Sequence, residues 1–244
     1  MEIQFLGSGD AFGSGGRFNT CFMVTTANGA FLIDCGASSL VAMRKFGVDP
    51  NRIQTVFVSH LHGDHFGGLP FLILDAQFYS RRTEPLTLVG PLGFRARLTQ
   101  AMEVFFPGSS TANRKFETEV IEIGARAAVS INGVEVTPFV VEHACGAPPF
   151  ALRFVADGKV LAYTGDTEWT ESLIEVGQDA DLLIAEALVF ERKIKWHLNY
   201  ASLKANLDRI GAKRVILTHM GPDMLANAAN VAEELAADGQ IIQI

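Results

Sequence analysis

The chain has 244 residues, 48% of them hydrophobic and 19% charged, a composition that excludes a disordered segment and leaves enough apolar surface for one large core. Its formal net charge of −7 argues against a partner gripped through nucleic-acid phosphates, which calls for a basic face. Three cysteines without a C-x-x-C pair exclude a disulfide framework and a zinc ribbon, and no apolar run approaches the roughly 18 residues of a membrane span.

One domain over 1–244 is expected, cytoplasmic and without membrane contact. The chain opens directly on the strand-like EIQFLG (2–7), with no basic, apolar leader in front of it. The glycine-rich GSGDAFGSGG (7–16) follows. Its spacing matches neither the dinucleotide fingerprint nor the P-loop, so it is expected to bring the first hairpin close to a site, with Ser8 or Asp10 facing substrate. Strands are predicted at 21–26 and 30–36, then a helix over 39–47 stopped by Gly47, a strand at 55–60 and a helix over 67–82. A strand at 86–90 leads into a helix over 91–106, and 104–118 reads as the longest surface loop. Strands are predicted next at 119–123, 134–143, 150–156, 160–166 and 181–187. A helix over 199–211 ending at Gly211, a strand at 214–219 and a helix over 222–239 before Gly239 complete the chain. Several strands are apolar throughout, as strands buried on both faces must be. The class is α/β, with antiparallel hairpins in the middle.

Residues with metal affinity recur at the C-terminal ends of these strands, where α/β proteins place their sites. In SHLHGDHFGG (59–68), His60 and His62 lie two apart on an extended segment and point the same way, so one cation can take both imidazoles. Gly63 permits a sharp turn, after which Asp64 and His65 project elsewhere, toward a second cation. Leaving four such groups buried without partners would cost about 1–3 kcal/mol each, so core packing does not explain them. His143 in VEHACG, Asp166 in YTGDT and His219 in LTHMG complete a set of five histidines and two aspartates.

In content and order these motifs resemble the metallo-β-lactamase fold superfamily, across essentially the whole chain. The resemblance implies a four-layer αββα sandwich of two mixed sheets with the site along one edge. It implies that His60, His62 and His143 hold one metal, that Asp64, His65 and His219 hold another, and that Asp166 bridges both. Nitrogen and oxygen donors without thiolate suit zinc, with manganese and iron as alternatives. Asp34 in LIDCG is similar to an aspartate that orients a ligand histidine. Cys35 and Cys145 read as small packing residues. Two metals about 3.5–4 Å apart can share a hydroxide that serves as nucleophile at neutral pH, with Asp64 orienting it.

Within the superfamily, the opening FLGSG and an extra histidine between Asp166 and His219 resemble the ribonuclease Z-like phosphodiesterases. There the extra histidine protonates the leaving oxygen and an upstream glutamate orients it; the matching residues are His197 and Glu186. The chain reads HLNYAS where that branch has H-S-T-A, and only 23 positions separate His143 from Asp166, where the tRNA-gripping arm of that branch would be inserted. The expectation is therefore a phosphodiesterase for a small-molecule ester and not for tRNA, a homodimer as relatives commonly are. The alternatives are a lactone or thioester hydrolase using Tyr200 as hydrogen-bond donor, and a non-catalytic binder of the kind found in cofactor biosynthesis.

Overall fold

The computed structural model describes residues 1–244. Its strands are β1 (Glu2–Gly7), β2 (Cys21–Thr26), β3 (Gly29–Ile33), β4 (Ile53–Phe57), β5 (Leu86–Pro91), β6 (Thr118–Ile123), β7 (Val129–Ile131), β8 (Val134–Val140), β9 (Phe150–Ala156), β10 (Lys159–Tyr163), β11 (Leu182–Glu186), β12 (Val215–Thr218), β13 (Glu234–Leu235) and β14 (Ile241–Gln243). They form two mixed seven-stranded sheets, ordered β14-β1-β2-β3-β4-β5-β6 and β13-β12-β11-β10-β9-β8-β7. The helices are α1 (Ser39–Lys45), α2 (Gly63–Phe66), α3 (Leu69–Phe78), α4 (Phe94–Phe105), α5 (Ser172–Gly177), α6 (Tyr200–Lys204), α7 (Leu207–Ile210) and α8 (Pro222–Ala226). None is long and apolar enough to cross a membrane.

Three separate apolar clusters make this a four-layer αββα sandwich. Phe5, Phe22, Phe31, Phe57, Phe154 and Tyr163 fill the space between the sheets. Their chain neighbours Leu6, Cys21, Met23 and Leu32 face the other way, under Met43, Leu69, Leu72 and Leu98 of α1, α3 and α4. On the second sheet Leu183, Ala185 and Leu217 meet Leu173, Leu203, Ile210 and Met224 of α5 to α8. Successive strand residues thus enter different cores, which is why these strands are apolar at consecutive positions. In the central layer Phe57 packs edge-on against Phe31 and Phe154 at 5.4 and 5.2 Å between ring centroids.

Three expectations are corrected. The helix over 222–239 stops after α8, because Glu234 and Leu235 pair with Ile216 and Leu217 as an added parallel edge strand. Gly239 therefore ends no helix and serves a turn at positive φ before β14. The helix over 199–211 is broken at Asn206, which leaves helical geometry and starts α7. The short α5, β7 and β14 carry too little periodic pattern to read from the sequence.

Candidate metal centre

Parallel pairing sets the location of the site. Strands β10, β11 and β12 run parallel, as do β3, β4 and β5, so each set delivers its C-terminal ends to one edge. Asp166 follows β10, Glu186 ends β11, and His219 follows β12. From the first sheet, β4 leads into the extended segment bearing His60 and His62, and α2 then carries Asp64 and His65. His143 follows β8. The motif loop presses on the 34–36 turn, where Cys35 N donates to His65 O and Gly68 N to Cys35 O. A Cβ on Gly68 would fall 2.3 Å from Gly36 O, so glycine is required there by close approach.

All seven predicted donors come together, in two groups. His60, His62 and His143 present ligand atoms within 4.8 Å of one another, as do Asp64, His65, Asp166 and His219. His62 Nδ1 and His143 Nε2 lie 3.0 Å apart, the two rings nearly perpendicular at 75°. Two nitrogens at about 2.0–2.1 Å from a shared tetrahedral ion would have that kind of separation. Asp166 Oδ2 stands 3.3 Å from both His65 Nε2 and His219 Nε2 and 3.8 Å from His60 Nε2, so it touches both groups. Asp64 Oδ2 lies 3.2 Å from His65 Nε2. The test of fit is satisfaction: His60 Nε2, His65 Nε2 and Asp166 Oδ1 are buried without any hydrogen-bond partner. Buried polar atoms left without partners in a cluster of metal-type donors are costly unless cations take them, so the residues fit divalent ions.

The opposite nitrogens are committed elsewhere, which leaves the inward ones free for metal. His65 Nδ1 is 2.7 Å from Asp34 Oδ2, and Ser59 donates to both Asp34 oxygens through its N–H and its hydroxyl. Ser59 Oγ also lies 3.1 Å from His60 Nδ1, so Asp34 orients two histidines, one directly and one through Ser59. His143 Nδ1–H donates to Trp196 O at 2.7 Å. Burial holds His60, His62 and His143 below the usual histidine range, keeping those rings neutral as ligands must be. Burial pushes the same way on His65, but Asp166, Asp64 and Asp34 outweigh it and raise that pKa well above the usual value. Asp166 is held low by His219 and His65 against the opposing effect of its burial.

His197 stands at the rim, its ring stacked 5.7 Å from that of His219 and its side chain 22% exposed. His197 Nδ1 lies 3.0 Å from Glu186 Oε2. The other carboxylate oxygen of Glu186 accepts from Thr167 N and Leu198 N, so Glu186 holds the histidine, and the pair stands within 4.8 Å of the donor atoms of Asp166 and His219. Burial works against the His197 proton, but the hydrogen bond and charge of Glu186, with Asp166, raise its pKa to about 9. At neutral pH the ring carries a proton, and Nε2 is the nitrogen left to deliver it.

Other expected contacts are absent. Tyr200 points away from the centre: its ring stacks on Phe190 at 5.4 Å and its hydroxyl accepts from Ala232 N. Ser8 is bound to Asp238, and Asp10 spends its carboxylate on Phe12 N and on the N–H and hydroxyl of Ser14, so neither is free for substrate. Ser59 and Trp196 O escaped the sequence reading, one as a common strand residue and the other as a backbone group with no letter of its own. The cysteines are unpaired and buried, as expected of packing residues.

A family model described as Anti-Pycsar protein Apyc1 matches residues 1–241. The chain is 26% identical to the Ribonuclease Z of Methanosarcina acetivorans, over 90% of this chain and 87% of that protein. Among solved structures, human tRNase Z, short form, superposes with a TM-score of 0.80 at 25% identity, covering 100% of this chain and 99% of that one. A diphosphatase of the PhnP family has a TM-score of 0.79 at 19% identity, covering 100% and 97%, and shares the fold.

Proposed function

The chain belongs to the family of the anti-Pycsar protein Apyc1, and from that premise we propose that it is a dinuclear, metal-dependent phosphodiesterase acting on small phosphodiesters. The observation that carries the reading is the His197–Glu186 pair beside a complete donor set centred on Asp166. Two divalent cations, for which zinc suits nitrogen and oxygen donors best and manganese and iron come next, would lower the pKa of water and neutralise charge on a phosphoryl group. His60, His62 and His143 would hold one, Asp64, His65 and His219 the other, with Asp166 between them.

The chain's own residues supply what such cations do not. An alkoxide leaves a phosphodiester poorly unless protonated, and a placed general acid contributes about 10²–10⁴ in rate. His197 donates from Nε2, while Glu186 fixes the ring through Nδ1 and keeps it charged. Asp64, beside His65, would orient the attacking water. Trp196 O, Asp34 and Ser59 keep the histidine ligands in the tautomer that faces inward.

A small substrate is supported by three observations. The stretch between His143 and Asp166 is taken up by the β9–β10 hairpin, leaving no room there for a substrate-gripping arm. The net charge is −7. The cleft beside His197 is about 380 Å³, lined by Trp169, Lys193, Asn199 and Ser202. The Ribonuclease Z and tRNase Z relatives are named for RNA, so an RNA substrate belongs in the test. The reading includes a single cytoplasmic domain acting as a homodimer, for which exposed Phe71, Val104 and Phe105 supply apolar surface. Lactone or thioester hydrolysis loses its proposed donor, since Tyr200 faces elsewhere.

Purified protein is expected to hold close to two zinc ions and to cleave bis(p-nitrophenyl) phosphate and linear or cyclic small phosphodiesters. It should turn over lactones, thioesters and precursor tRNA poorly. Turnover of acyl esters alone, or of no ester class at full metal loading, overturns the reading in favour of the acyl hydrolase or the binder.

A further inference from the structure

Ser8 and Asp10 of the glycine-rich opening loop are spent on internal hydrogen bonds, and the loop contacts the last histidine at two points. His219 N donates to Ser8 O, and Thr218 Oγ1 donates to the same carbonyl. On the ring side, His219 Nδ1 lies 3.3 Å from Thr20 Oγ1, and Thr20 Oγ1 donates its own proton to Gly9 O. Gly9 O, also at 3.3 Å, can only accept, so with the Thr20 proton on that carbonyl Thr20 Oγ1 accepts from His219 Nδ1–H, the one arrangement of this chain that leaves Nε2 as a ligand. His219 Nε2 is thereby left unprotonated and turned toward Asp166.

The position of Gly9 O depends in turn on a residue far along the chain. Asp238 Oδ1 accepts from Ser8 N at 2.9 Å and Ser8 Oγ at 2.8 Å, and Asp238 Oδ2 accepts from Phe18 N at 2.8 Å. Phe18 O takes Gly9 N at 2.7 Å. One carboxylate therefore clamps both arms of the loop. The arms meet closely enough that a Cβ on Gly7 would fall 1.9 Å from Asn19 O and one on Gly9 2.7 Å from Arg17 Cβ, which explains the glycines. His219 itself sits at φ +56, a left-handed backbone state that is uncommon for residues with a side chain.

We propose that Thr20 and Asp238 are positioning residues for the second cation: the loop clamped by Asp238 seats His219, and Thr20 fixes the tautomer in which it can ligate. The inference rests on the metal reading given above. It is tested by zinc titration against a chelating competitor, with metal content after dialysis at fixed free zinc, on the full chain. Thr20→Val, which keeps the shape and removes the hydroxyl, is expected to weaken the second zinc about 10–100-fold and leave the first unchanged. Thr20→Ser restores it. Asp238→Asn puts a donor opposite the Phe18 N–H and weakens the second zinc in the same direction, which keeps the test open should Thr20→Val not fold. Cobalt(II) substitution gives an independent reading, since only the second-site absorption should change. If the unaltered chain binds fewer than two zinc ions, the metal reading itself fails. If it binds two and both variants bind two as tightly, or lose both sites equally, only the positioning role falls.

Discussion

Glu186→Gln isolates the proton donor without touching a metal ligand. The amide oxygen can keep the Thr167 and Leu198 N–H groups, while the amide nitrogen replaces the oxygen that faces His197 Nδ1. An N–H donor at that position suits a neutral ring and no longer stabilises a charged one. His197, at about 9 beside Glu186, should fall toward or below the ordinary histidine value of about 6.5. At pH 8 the protonated fraction then drops from about 0.9 to about 0.03, so turnover of an alkyl phosphodiester should fall about 30-fold, while at pH 6 the two proteins should nearly agree. The sign follows from the role: a general acid works protonated, so activity is present below its pKa and lost as pH rises through it, and the variant's alkaline limb must move to lower pH. Wild type and variant carry the same metals, so the separation of the limbs is the quantity read. The assay is kcat against pH for an alkyl ester and for a p-nitrophenyl ester, whose leaving group needs little protonation and should show a much smaller loss. Coincident limbs, or equal losses on both esters, would refute the proton-donor role.

Asp34→Asn should tolerate φ +59 but lose the charge that orients His65 and, through Ser59, His60; zinc affinity should fall about 10–100-fold at both sites by competitive titration. Removing metal with a chelator should abolish turnover and lower Tm, and zinc at 100 times Kd should restore about 2.7 kcal/mol per site, read as a zinc-dependent Tm. Phe154→Ala, in the aromatic layer between the sheets, should cost about 3–5 kcal/mol in urea unfolding while zinc content of the folded protein stays unchanged. Arg82→Met strips buried carbonyls, those of Ile53 and Pro85 among them, of their only guanidinium donor and should destabilise by several kcal/mol, with kcat unaffected.

Much of the site was legible because its chemistry is written locally. The letters of SHLHGDH fix two imidazoles on one side of an extended segment and two donors beyond a turn, whatever the rest of the chain does. Apolar strands ending in His143, Asp166 and His219 marked the sheet edge in the same way, since an unpaired polar group at the end of a buried strand has few explanations. Burial on both faces was legible too, as consecutive apolar letters in FLIDC and LLIAE, whereas the four-layer arrangement followed from the family resemblance.

What the letters could not carry was anything decided by a distant partner. The pattern over 222–239 suits a helix, but the open edge of β12 captured Glu234 and Leu235 with hydrogen bonds that a local propensity cannot anticipate. The sequence spacing sets Tyr200 one turn from His197, but the packing of α6 turns its ring onto Phe190. Ring tautomers were equally out of reach, being set by Trp196 O, by Asp34 through Ser59, and by Gly9 O through Thr20. The sequence by itself determined which residues carry metal-binding groups and that they lie at strand ends, because residue type and strand periodicity are local properties. Only the tertiary structure decided which nitrogen of each ring faces inward and what clamps it there, because those hydrogen bonds join residues as far apart as Ser8 and Asp238.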